Sequence, residues 1–90
     1  MAIVAIITKI MPESPDTNLE EIQTQAKSIL EKEGAQNLSF ETQPIAFGLV
    51  ALMIKFAWQE EKDTEIIETS LAKIPGVSSA KIEDYRRAFG

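Results

Sequence analysis

Ninety residues, 44% of them hydrophobic and 26% charged, suffice for one core without disulfide or metal support and leave no room for two domains. Cysteine and histidine are both absent, which excludes disulfide frameworks, thiolate zinc sites, Cys- or His-based nucleophiles and the commonest general base near neutral pH. Nine basic and fourteen acidic side chains give a net charge of −5, the wrong sign for affinity built on phosphate neutralisation, so nucleic acid is not expected as a main partner.

The chain opens on a nearly continuous apolar, β-branched run over 2–11 that ends at Met11-Pro12, as expected of a central strand covered on at least one face. Its first residues carry no basic n-region and are too short for a secretory signal. No run approaches the roughly 20 apolar residues of a membrane span, so the expectation is a soluble, cytoplasmic protein without membrane contact. Pro12 and Pro15 oppose continuation of the strand into the loop over 13–18, Thr17 or Asn18 is placed to cap a helix, and Asn18 with Glu21 three residues on has the spacing of a capping box. The helix that follows places Leu19, Ile22, Ala26, Ile29 and Leu30 on one stripe, with Gly34 as its stop.

Over 36–43, Leu38, Phe40 and Thr42 alternate with Asn37, Ser39 and Glu41, the pattern of a half-solvated edge strand. A long strand over 49–58 sends Val50, Leu52, Ile54, Phe56 and Trp58 toward the helices and Leu49, Ala51, Met53, Lys55 and Ala57 to the other face. Asp63 is placed to cap a second helix with the stripe Ile66, Ile67, Leu71 and Ile74, ended by Pro75-Gly76. A last strand runs over 77–87 with Ala80 and Ile82 inward. This βαββαβ order predicts an α+β, ferredoxin-like sandwich: a four-stranded antiparallel sheet, first and third strands central, with both helices on one face.

Between the two middle strands lies Gln43-Pro44-Ile45-Ala46-Phe47-Gly48-Leu49, an apolar turn where most turns are polar. Ile45 and Phe47 must fold back onto the core or be held out for a partner. Taken alone, Phe47 fits either a hairpin plug or an exposed anchor, since Gly48 simply permits the turn.

The adjacent carboxylates Glu20-Glu21, Glu60-Glu61 and Glu83-Asp84 read as solvated faces, because neighbours in a helix or strand diverge rather than converge on a substrate. No EF-hand spacing occurs, and neither a bound metal nor a cofactor is expected. The acidic, donor-poor loop Pro12-Glu13-Ser14-Pro15-Asp16 argues against a phosphate-handling enzyme. The open sheet face, with Leu49, Ala51, Met53 and Lys55, lacks the aromatics that stack RNA bases. Arg86-Arg87-Ala88-Phe89-Gly90 reverses the chain's sign at its end and suits either a frayed terminus or an interface anchor, Arg and Phe being favoured at interfaces.

Four ordered segments carry a resemblance over essentially the whole chain: Met11-Pro12-Glu13-Ser14-Pro15, Pro44-Ile45-Ala46-Phe47-Gly48-Leu49, Ile74-Pro75-Gly76-Val77 and Asp84-Tyr85-Arg86-Arg87-Ala88-Phe89. Together they resemble the archaeal type of elongation factor 1-beta. That resemblance implies a single guanine nucleotide exchange domain over 1–90, a non-covalent factor rather than an enzyme, acting on the translation GTPase elongation factor 1-alpha. It implies a partner-binding site at Ile45, Ala46, Phe47 and Gly48, with Ile45 the inward half and Phe47 the aromatic that enters the GTPase away from its magnesium. It also places Arg86, Arg87 and Phe89 near the magnesium and switch region. Eukaryotic relatives use a lysine near the terminus; here no lysine follows Lys81, which leaves open whether Arg86 or Arg87 substitutes. The competing reading is a ligand-sensing or oligomerising ferredoxin-like module without a GTPase partner.

Overall fold

Strand β1 (Ile3–Pro12) alternates strictly, with Val4, Ile6, Thr8 and Ile10 fully buried and the residues between them partly open. The computed structural model, which describes residues 2–87, continues with α1 (Leu19–Lys32), β2 (Gln36–Pro44), β3 (Val50–Gln59), α2 (Glu65–Ala72) and β4 (Val77–Arg87). The sheet order is β2-β3-β1-β4 with every pairing antiparallel, so β1 and β3 are central and the ferredoxin-like expectation holds. Register places Ile6 against Phe56 and Val4 against Trp58, and directly opposed residues share a face. The buried stripe of β1 and that of β3 therefore form one apolar floor.

The helices cover that floor with Ile22, Ala26 and Leu30 from α1 and Ile67 and Leu71 from α2, as their spacing predicts. Asn18 Oδ1 accepts the Glu21 N–H at 3.2 Å and so satisfies one of the donors at the start of α1. Asp63 Oδ1 accepts the Glu65 N–H at 2.9 Å, and Thr64 already has helical dihedrals (φ −74, ψ −18), so the capping side chain of α2 is Asp63. Trp58 packs edge-on to Phe56 and donates its Nε1–H to the Lys62 carbonyl at 3.3 Å. Lys62 turns back over the same indole, 4.9 Å from the ring centroid, and bonds both the carbonyl and the carboxylate of Glu33. The turn before α2 is thereby tied to the end of α1.

Two irregularities set where side chains point. Ile7 pairs with Asp84 but Thr8 with Ile82, so Glu83 is an extra residue, a bulge that shifts the alternation of β4. Before it, Ala80 and Ile82 face the helices; after it, Asp84 and Arg86 lie on the open face opposite Ile7 and Ala5. Glu68 of α2 accepts the Ile82 N–H at 2.9 Å beside this bulge, satisfying an edge-strand donor. Thr8, fully buried, is the second irregularity: its Oγ1 has no hydrogen-bond partner among the described residues.

Candidate functional site

Pairing of β2 with β3 ends at Pro44 opposite Val50, and two bonds close the hairpin beyond it: Ile45 N–H to Leu49 O at 2.8 Å and Leu49 N–H to Ala46 O at 3.1 Å. Phe47 (φ 60) and Gly48 (φ 77) form the middle of this turn. Positive φ at both central positions is the type I′ pattern, which normally takes Asn-Gly because a bulky side chain is strained there. Glycine meets the requirement at position 48; phenylalanine at 47 does so at a cost of about 1–3 kcal/mol. Among the described residues nothing compensates this by packing, for Phe47 is 96% exposed. The turn holds an apolar ring out in water by its backbone geometry.

The base of the turn is braced. A side chain built on Gly48 would meet Pro15 Cβ at 3.8 Å, so the hairpin lies against the loop after β1. That loop is itself fixed by Ser14 N–H to Thr17 Oγ1 at 3.2 Å, Thr17 N–H to Ser14 O at 3.2 Å and Glu13 N–H to Gly76 O at 2.9 Å. Pro15 as a support for the turn was not legible in the sequence, since the two segments lie far apart along the chain and only the folded topology brings them together.

Ile45 departs from expectation. It was expected to turn inward, yet it is 39% exposed and does not join the core. The cause is the reach of the helix layer: Glu41, Thr42, Gln43 and Pro44 are all exposed, so the hairpin runs past the helices before Ile45 is reached. Ala46 and Gly48 are exposed as well, and the four residues 45–48 form one protruding tip.

Arg86 and Arg87 do not join that tip. They pair with Ala5 and Val4 at the start of β1, whereas the tip lies beyond its far end, where Ile10 opposes Leu52. The length of β1 separates them, about 30 Å at 3.3 Å per residue. Arg86 Nε bonds Asp84 Oδ2 at 2.9 Å while its side chain stays largely exposed, and Arg87 pairs with Glu60. Phe89, the third terminal residue expected at the site, lies outside the described residues. Of the acidic pairs, Glu20 and Glu21 sit in the first turn of α1, while Glu60 and Asp84 are engaged by the two arginines. Among the described residues no group of three His, Cys, Asp or Glu side chains is placed to hold a metal ion, and no helix is long and apolar enough to cross a membrane.

The fold is ferredoxin-like, and it carries one exposed aromatic on a braced turn. The chain belongs to the EF-1 guanine nucleotide exchange domain family, whose profile matches residues 5–88. It is similar to elongation factor 1-beta of Methanobrevibacter smithii, 42% identical over 88 residues that cover 97% of this chain and 98% of the relative. Elongation factor 1-beta of Methanothermobacter thermautotrophicus is likewise 42% identical, over 90 residues covering 97% and 98%. That of Methanocaldococcus jannaschii is 39% identical over 82 residues covering 90% and 92%. Family membership assigns the chain to guanine nucleotide exchange in translation elongation, an activity without covalent chemistry, and does not favour a ligand-sensing module.

Proposed function

We propose that residues 1–90 act in the cytoplasm as one exchange domain that promotes GDP release from elongation factor 1-alpha, with Phe47 as the side chain that enters the GTPase. Phe47 carries this reading: it is 96% exposed, apolar and fixed by a φ of 60 that gains nothing within the chain. A ring already held in its binding geometry loses little freedom on docking, which is where preorganisation contributes affinity. Arg86 and Arg87 at the opposite end give a second contact, so the chain spans its partner between two points about 30 Å apart. No nucleic acid or membrane contact enters the scheme.

Exchange requires only coupling between two ligands of one GTPase. A factor that weakens nucleotide binding is itself weakened by nucleotide to the same extent, which returns the factor after each cycle. Each tenfold acceleration of release needs about 1.4 kcal/mol, and burial of one Phe side chain supplies about 1.5–3 kcal/mol. Phe47 thus accounts for one to two orders of magnitude, and the terminal arginines and the sheet must supply any further effect. The test is release of a fluorescent GDP analogue from elongation factor 1-alpha by the parent chain and by Phe47→Ala. The variant should fold normally and release GDP at least tenfold more slowly; an unchanged rate would remove Phe47 from the mechanism.

A further inference from the structure

The face of the sheet that the helices leave open carries Lys9, Lys55, Lys81 and Arg86 against Glu41 and Asp84. Among the residues that the ladder pairs on this face, four cations against two carboxylates leave a surplus of +2 in a chain of net −5, with Glu83 exposed and unpaired in the bulge beside Asp84. Lys9 of β1 and Lys81 of β4 stand directly opposite one another in the ladder. Like charges so placed repel and destabilise the pairing. Among the described residues neither lysine makes an ion pair, and the nearby carboxylate of Asp84 is engaged by Arg86. Next to Lys9 in the ladder is Met53, and Ile7 pairs with Lys55 in the following row, so the cations are set in apolar surface. A shallow groove of about 420 Å³ lies beside them on the β2–β3 side of this face, where Ile7, Met53 and Lys55 meet the polar residues Ser39, Glu41, Thr42 and Gln43.

We infer that the open face docks an acidic, partly apolar protein surface, and that a carboxylate of the partner sits between Lys9 and Lys81. The inference rests on the proposed GTPase partner and assigns that partner's acidic region to this face. Charge asymmetry within the chain selects the sign, because an acidic surface is repelled by the helix side and attracted here. The face runs between the Phe47 tip and Arg86, so a body held at both ends lies across it. RNA fits less well: Ile7, Met11, Met53 and the lysines present no aromatic on which bases could stack, and Glu41 and Asp84 interrupt the basic surface.

The decisive variant is Lys81→Glu in the full chain, measured for thermal unfolding and for association with elongation factor 1-alpha in low and high salt. Replacing the repulsion with an attraction between Lys9 and the introduced carboxylate should raise Tm by about 2–4 °C. Association should slow roughly tenfold in low salt, with the difference shrinking in high salt. Lys9→Glu should reproduce this behaviour, while Lys73→Glu, the same charge change on the exposed residue after α2, should leave association close to the parent. Normal exchange with unchanged association in both face variants would overturn the inference and leave the exchange reading standing, and equal slowing by Lys73→Glu would reduce the effect to net charge and also overturn it. Loss of tRNA binding with unchanged GTPase association would assign the face to nucleic acid instead. A parent chain that binds no GTPase would overturn both readings together.

Discussion

The substitution Phe47→Asn converts the hairpin tip to Asn-Gly, the pair that best suits positive φ at both central positions. Phe47 holds φ 60 without burying its ring, so its removal forfeits no packing and relieves backbone strain. Asparagine tolerates this region far better than a bulky residue, and a gain of about 1 kcal/mol is expected, or roughly 4–8 °C in Tm for a domain of this size. The same change deletes an apolar side chain whose burial in a partner is worth about 1.5–3 kcal/mol. At about 1.36 kcal/mol per decade, GDP release should slow about 10- to 150-fold. Calorimetry and stopped-flow release of a fluorescent GDP analogue, run on the same preparation, read the two effects with opposite signs. Unchanged release would refute the role of the ring, and a Tm lower by several degrees would show that the ring braces the turn.

Other positions test the frame that holds the tip. Thr8→Val removes a fully buried hydroxyl without a partner while keeping its shape, and should raise unfolding free energy by about 1–2 kcal/mol in urea titration. Glu68→Ala deprives the Ile82 N–H of its acceptor at the β4 bulge and should cost about 1 kcal/mol, with faster amide exchange at Ile82 as the local readout. Lys62→Ala loses both the contact over Trp58 and the bonds to Glu33; a loss of about 1 kcal/mol and a change in Trp58 fluorescence are expected.

The architecture was legible because each element declares itself locally. The alternation of β1 and β3, the Asn18 cap, the Asp63 cap and the proline-bounded loops all point to one topology, and the register then pairs the two buried stripes. The site was legible in part. An apolar turn with Phe before Gly drew attention to residues 45–48, but whether Ile45 and Phe47 turn inward depends on how far the helices extend over the hairpin, which no local pattern encodes. The bulge at Glu83 was equally silent, since the residues around it continue a plausible strand; yet it decides that Asp84 and Arg86 share the open face. The opposition of Lys9 and Lys81 joins residues at the two ends of the chain and exists only once the register is fixed. What the sequence hides in each case is a relation between distant segments.

The most direct test of exchange is the rate at which elongation factor 1-alpha loaded with a fluorescent GDP analogue loses that nucleotide when mixed with increasing amounts of this chain. The predicted result is a release rate that climbs with concentration to a plateau well above the intrinsic rate, with excess GDP and magnesium dissociating the complex as reciprocal coupling demands. A release rate equal to that of the GTPase alone at every concentration of the chain would contradict it.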